Sequence, residues 1–234
     1  MNIRSLDMLA AGACLALTGA LAHADGALDA LSPQQRTQGL KTALTQAAQV
    51  AVKNLGQTDG FLANPDVRIP LPGKLQKAQK LLSALGASKQ TDALVTAMNR
   101  AAEAAVPEAK TLLLDSVKQM SVQDAIGILT GGQDAATQYF RRTTSDKLTQ
   151  RFLPIVSRET GKVQLAQRYN DVAGKAAQLG LLNEKDANLD RYVTGKALDG
   201  LFLMMAKEEA AIRQDPLGQA SGILQKVFGA VAAP

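Results

Sequence analysis

Histidine and cysteine each occur once in the 234 residues, as His23 and Cys14, and tryptophan is absent. Both single residues fall in a stretch that reads as a secretory signal peptide. Arg4 stands near its start, an uncharged apolar run covers Met8–Leu21, and Ala22-His23-Ala24 supplies the small-residue cleavage pattern before Asp25. Division into a signal peptide over 1–24 and one helical domain over 25–234 leaves a mature chain with neither residue. That excludes disulfides, cysteine nucleophiles, Ser-His-Asp triads and the usual zinc or copper ligand sets. Lipid attachment at Cys14 is disfavoured, because Ala11-Gly12-Ala13 lacks the leucine-like residue of a lipid-acceptor site and the apolar run continues past it. The expected location is the periplasm or the exterior. No later segment approaches the roughly 20 apolar residues of a spanning helix, so no transmembrane segment is expected in the mature chain.

Aromatic residues are also scarce, at 3% of the chain. Removing Arg4 and Asp7 with the leader leaves 25 basic and 20 acidic residues, scattered rather than massed. Nucleic-acid grooves combine concentrated basic charge with stacking aromatics, so no nucleic-acid partner is expected. The envelope supplies the other candidates, a protein or a lipid. The fingerprints GxGxxG, GxxxxGK[ST], GxSxG, SxxK and HExxH are all missing, and no cofactor or metal is expected. Asp186-Ala187-Asn188-Leu189-Asp190 has the alternating oxygens that open an EF-hand loop, but Arg191 and Ala197 stand where Gly and Glu are required. It reads as a helix start.

What is present is helix-forming sequence, rich in Ala, Leu, Gln and Lys, without alternating β-branched runs. The fold class is all-α, a single-domain bundle of about seven to eight helices, in the size range where one core suffices. Ser32-Pro33 opens a first helix that Gly56 closes, with Leu40, Leu44, Ala47, Ala48, Ala51 and Leu55 on one face. Gly60–Gly73, carrying Asn64-Pro65 and Ile69-Pro70-Leu71-Pro72, must be extended. It reads as a connector packed through Phe61, Leu62 and Ile69, with an apolar strap presented to a partner as the alternative. Further helices are expected over Lys74–Leu85, over Thr91–Met120 with a kink or break at Pro107, and over Val122–Leu129 behind a Ser121/Asp124 capping box. Gln133–Arg158, interrupted late by Pro154, then Lys162–Leu179, Asp186–Gln214 and Leu217–Phe228 complete the set.

Chemistry without histidine or cysteine falls to carboxylates, Arg, Lys and Tyr. In Asp186–Gln214 the helical stripe Leu198, Leu201, Met205 and Ile212 has Glu208 in its middle. A carboxylate there needs a partner or a raised pKa. Arg151, among Phe140, Leu148 and Ile155 on the fifth helix, is the expected partner. As a register-fixing pair the two are structural; near a helix end Glu208 simply reaches water; in an open cleft it becomes a candidate general acid. Tyr139-Phe140-Arg141-Arg142 with Asp146, and Tyr192 with Lys196 and Asp199, are the other dense polar-aromatic patches. Arg141-Arg142 reads as a solvated face. If both patches face one groove, they suit an anionic or carbohydrate ligand. Met204-Met205 reads as core.

Ile69-Pro70-Leu71-Pro72, Asp124 through Gly132, Ala135-Ala136-Thr137-Gln138-Tyr139-Phe140, Tyr192-Val193, Gly200-Leu201-Phe202, Glu208-Glu209, Ile212-Arg213 and Val227-Phe228-Gly229 together resemble the bacterial domain-of-unknown-function family 4197. The resemblance spans nearly the whole mature chain. It implies an exported, predominantly helical protein, it brings no activity with it, and it marks Tyr139, Glu208 and Arg213 as motif positions. The expected function is a non-enzymatic binding or scaffold module of the envelope, using the Tyr139–Asp146 and Tyr192–Arg213 faces. The alternatives are a carrier of a lipid or other apolar or anionic ligand, and a glycan hydrolase built on Glu208.

Overall fold

The computed structural model describes residues 32–73, 76, 88–170 and 188–214. The expected signal peptide, the helices expected over Lys74–Leu85 and Leu217–Phe228, and the second half of Lys162–Leu179 lie outside the described residues, apart from single positions. Six bounded α-helices and no strand are described: α1 Pro33–Leu55, α2 Ser88–Ala105, α3 Ala109–Gln119, α4 Val122–Leu129, α5 Ala135–Thr160 and α6 Leu189–Gln214. Residues 164–170 are helical as well.

Helix α1 starts as its cap predicts: the Ser32 hydroxyl accepts the Gln35 amide at 3.2 Å and the Gln35 side chain accepts the Ser32 amide at 2.8 Å. All six of its expected core positions are buried, and Gly56 caps its end. Helix α4 repeats the device with Ser121 and Asp124. Pro107 breaks the long third helix into α2, a 3-10 turn at Val106–Glu108, and α3. Pro154 behaves differently. The expected interruption does not occur, and α5 runs through Pro154 to Thr160. A helical proline orphans the carbonyl four residues back. For Pro107 that carbonyl belongs to Glu103, which is buried; for Pro154 it belongs to Gln150, which is exposed and within reach of water.

Helices α5 and α6 share the most extensive contact, with α2 and α3 against α5 and α1 against α6. Their pairing is antiparallel. Ala136 at the start of α5 meets Glu209 near the end of α6, Arg141 lies over Phe202, and Thr160 at the end of α5 bonds Asp190 at the start of α6. One hydrophobic core runs through all the helices, with Phe61, Phe140, Phe152 and Phe202 as its largest enclosed side chains. Met205 is buried and Met204 packs against the same core.

The proline-rich connector over 56–73 is packed, with Phe61, Ile69 and Leu71 enclosed. The expected extended run over Gly60–Gly73 does not form as such: residues 58–63 and 65–67 are turns closed by backbone bonds such as Ala63 N–H to the Asp59 carbonyl at 3.2 Å and Arg68 N–H to the Asn64 carbonyl at 2.9 Å, because proline fixes φ without forbidding turns. The groups of Phe61, Leu62 and Ile69 that these turns leave open are met by two polar side chains of α2 one turn apart. Asn99 brackets Ile69, accepting its amide at 2.8 Å and donating to its carbonyl at 3.0 Å. Glu103 accepts the amides of Phe61 and Leu62 at 3.0 and 3.1 Å. Arg100 donates to Glu103 at 2.6 Å and to Asp59 at 2.7 Å, holding Asp59 at its left-handed φ of 68°. These bonds, the Glu103 one foremost, raise the Arg100 guanidinium above its ordinary pKa. Gly200 lets the connector approach α6: a Cβ there would stand 2.7 Å from the Phe61 ring.

Candidate functional site

The first half of α6 and the middle of α5 flank an open groove of about 630 Å³. Thr149 and Leu153 line it from α5, and Arg191, Tyr192, Thr194, Gly195, Lys196 and Asp199 from α6. Local sequence explains the opening. Leu189, Val193, Ala197 and Leu201 turn inward, leaving Arg191, Gly195, Lys196 and Asp199 exposed around them. Gly195 removes a side chain where α6 faces the groove, and a Cβ built there meets nothing within 4 Å. The start of α6 is fixed by Asn188, which accepts the Arg191 amide at 2.9 Å, and by Asn170, which accepts that of Leu189 at 2.7 Å. The helix-start reading of this stretch therefore holds at Asn188.

Two features make the groove chemically unusual. Thr194 is 2% exposed, and its hydroxyl has no hydrogen-bond partner. Buried hydroxyls are nearly always paired, and leaving one unpaired costs about 1–3 kcal/mol. Positive charge is also in excess. Asp199 is the groove's one carboxylate among the lining residues, loosely approached by Arg141 at 3.6 Å and Lys196 at 3.9 Å, while Arg191 adds a further exposed guanidinium. The Tyr192 hydroxyl donates to the Pro70 carbonyl at 3.1 Å, which ties the groove wall to the connector.

The residues expected to form a site are not brought together in one place. Tyr192 lines the groove, and Arg141 reaches its edge by pairing with Asp199 while lying 4.7 Å over the Phe202 ring. Tyr139 and Arg142 face the other way. The Tyr139 ring is buried edge-on against Phe140, its hydroxyl donates to the Ser116 carbonyl at 2.9 Å, and Arg142 covers that ring at 5.6 Å. Asp146 and Arg151 are exposed on α5. The expected Glu208–Arg151 pair does not form: Glu208 is only half-buried, and no ion pair joins the two among the described residues.

The enclosed carboxylate is the neighbour, Glu209. It accepts the amides of Ala136 and Thr137 at 3.0 and 2.9 Å and the Thr137 hydroxyl at 2.9 Å, capping an α5 whose own Asp134 makes no side-chain cap. Arg213 pairs with Glu209 at 2.8 Å and donates to the Ile128 carbonyl at 2.9 Å, near the end of α4. One ion pair thus serves the positive end of α5 and the negative end of α4 across the Gly131-Gly132 turn. Every Glu209 oxygen is occupied by donors, so the group is structural. Sequence reasoning also missed Asn99, Glu103 and Thr194. For the first two there was a signal, polar residues set among Ala101, Ala102 and Ala105 on a buried face; for Thr194 there was none.

Two surface carboxylates are held below their ordinary values. Asp124 is lowered chiefly by the Ser121 hydroxyl and then by the Ser121 amide, and Glu159 by Lys162 and then Arg158.

An all-helical protein with a cationic groove between two antiparallel helices is the class that fold and site define. The family profile described as Protein of unknown function (DUF4197) matches residues 30–229, and the chain belongs to that family. No curated protein and no solved structure matches it.

Proposed function

We propose that the protein is a non-enzymatic binding module of the bacterial envelope and that the α5–α6 groove is where it binds. The leader-like first 24 residues support the location. The groove itself carries the binding assignment: Gly195 leaves the α6 surface bare, Arg191 and Lys196 stand exposed along it, and Thr194, whose enclosed hydroxyl has no partner, lies in its wall. Glu208, the one residue weighed for catalysis, lies outside this groove.

Native mass spectrometry of the protein recovered from its own periplasmic fraction tests the reading, with Gly195→Leu beside the wild type. Position 195 is exposed on the groove and a Cβ there meets nothing within 4 Å, so a leucine side chain projects from it into the groove. A bound mass present on the wild type and missing from the variant is the expected result. Identical masses for both proteins, or recovery only from the cytoplasm, would sink it.

A further inference from the structure

The groove's chemistry narrows the ligand, and this step rests on the binding role just assigned. We infer that the groove takes a hydroxylated oxyanion of sugar size, a sugar acid or sugar phosphate lying along the first half of α6. Arg191 and Asp199 are eight residues apart, about 12 Å along the helix axis at 1.5 Å per residue. The two ends of the groove therefore differ in chemistry. At one end Arg191 presents an exposed guanidinium suited to bidentate pairing with a carboxylate or phosphate. At the other end Asp199, flanked by Arg141 and Lys196, offers acceptor oxygens to hydroxyl donors within a setting that stays cationic.

Between those ends the Thr194 hydroxyl lacks a partner and Gly195 leaves the helix surface bare. Tyr192 adds an aromatic wall held by its bond to the Pro70 carbonyl, and Leu153 an aliphatic one, surfaces against which the C–H face of a sugar ring packs. A volume of about 630 Å³ suits one or two sugar units. A bare inorganic anion would leave the Tyr192 and Leu153 walls unused, and a neutral sugar would leave Arg191 unused.

Isothermal titration of the mature protein with D-glucuronate, D-glucose and inorganic phosphate is the test, with phosphatidylglycerol vesicles as a fourth arm because that headgroup is also a hydroxylated oxyanion. Saturable binding of glucuronate, stronger than glucose and phosphate by about tenfold or more, is expected. Arg191→Gln weakens it about tenfold or more, as removal of a charge-assisted pair does. Gly195→Leu abolishes it, and Lys147→Gln, an exposed charge elsewhere on α5, leaves it intact. Vesicle binding in place of glucuronate, lost in the same two variants, keeps the class and assigns it to a lipid headgroup. Equal binding of glucose and glucuronate, or an Arg191→Gln variant with unchanged affinity, overturns the proposal. If no probe binds while the periplasmic protein still carries a Gly195-dependent mass, the ligand class fails and the binding role stands. If no such mass exists, both fall.

Discussion

Glu208 and Glu209 show how far a helical wheel reaches. At about 100° per residue, the stripe of Leu198, Leu201, Met205 and Ile212 has a midline from which Glu208 and Glu209 each lie about 50°, on opposite sides. Periodicity therefore announces a carboxylate at the edge of the core and leaves open which one it is. The choice is made by the neighbour: the Glu209 side meets the uncapped start of α5 and its two free amides. Breaking a buried pair by removing one partner costs about 3–5 kcal/mol. Glu209→Ala is expected to lose that much in urea denaturation, because it strands Arg213, whose side chain is 10% exposed, along with the amides of Ala136 and Thr137. Glu208→Ala should stay within about 0.5 kcal/mol. Equal losses would mean that the two glutamates share the buried role. The glycines of the same helix make a second contrast. Gly195→Ala should gain about 0.5–1 kcal/mol from helix propensity, since the new Cβ meets nothing. Gly200→Ala drives its Cβ to 2.7 Å from an enclosed Phe61 ring, and overpacking of that kind costs about 1–3 kcal/mol. Melting temperatures should move in opposite directions, and a shared direction would contradict the packing of the connector on α6.

Where each element begins was legible when the cap is local. Ser32 with Gln35 and Ser121 with Asp124 lie three residues apart and need nothing else from the fold. The start of α5 was less legible, because its cap comes from Glu209, 73 residues beyond Ala136. Prolines were half legible. The sequence marks both Pro107 and Pro154 as helix breakers, but whether a helix breaks depends on whether the orphaned carbonyl reaches water, which is settled by packing. The local cap yields a prediction at this scale. Ser121→Ala removes the hydroxyl that accepts the Asp124 amide at 3.0 Å, at a cost of about 1 kcal/mol. Because α4 has only eight residues, the loss should appear as faster hydrogen exchange across Val122–Leu129, by about fivefold, with α1 unchanged. Unaltered exchange in α4 would show that tertiary contacts, not the cap, hold it.

The helical class of the molecule could be read from spacing alone, whereas the partnership of α5 with α6 could not. Amphipathic stripes say that a face is buried and not against what. The groove followed the same rule: Tyr192, Lys196 and Asp199 were visible as a patch, but the unsatisfied Thr194 exists only once α5 lies alongside. One property of the whole chain does follow from composition. With His23 and Cys14 both among the first 24 residues, no side chain of residues 25–234 has an ordinary pKa between about 5 and 8. Titration should then be confined to acid. Asp124 and Glu159 are held below ordinary values of 3.8 and 4.5, so near those values the unfolded chain binds more protons than the folded one. Their stabilising contribution is complete above the ordinary values and disappears as pH falls through the lowered ones. Both side chains are partly exposed, so the effect of each is small. Unfolding free energy of residues 25–234 should be flat within about 0.5 kcal/mol from about pH 6 to 8 and should decline only below about pH 4.5. A slope between pH 7 and 5.5 would mean that some carboxylate titrates far above its ordinary value. Such a group is the mark of a general acid. It would return the Glu208 hydrolase reading to first place over the binding module.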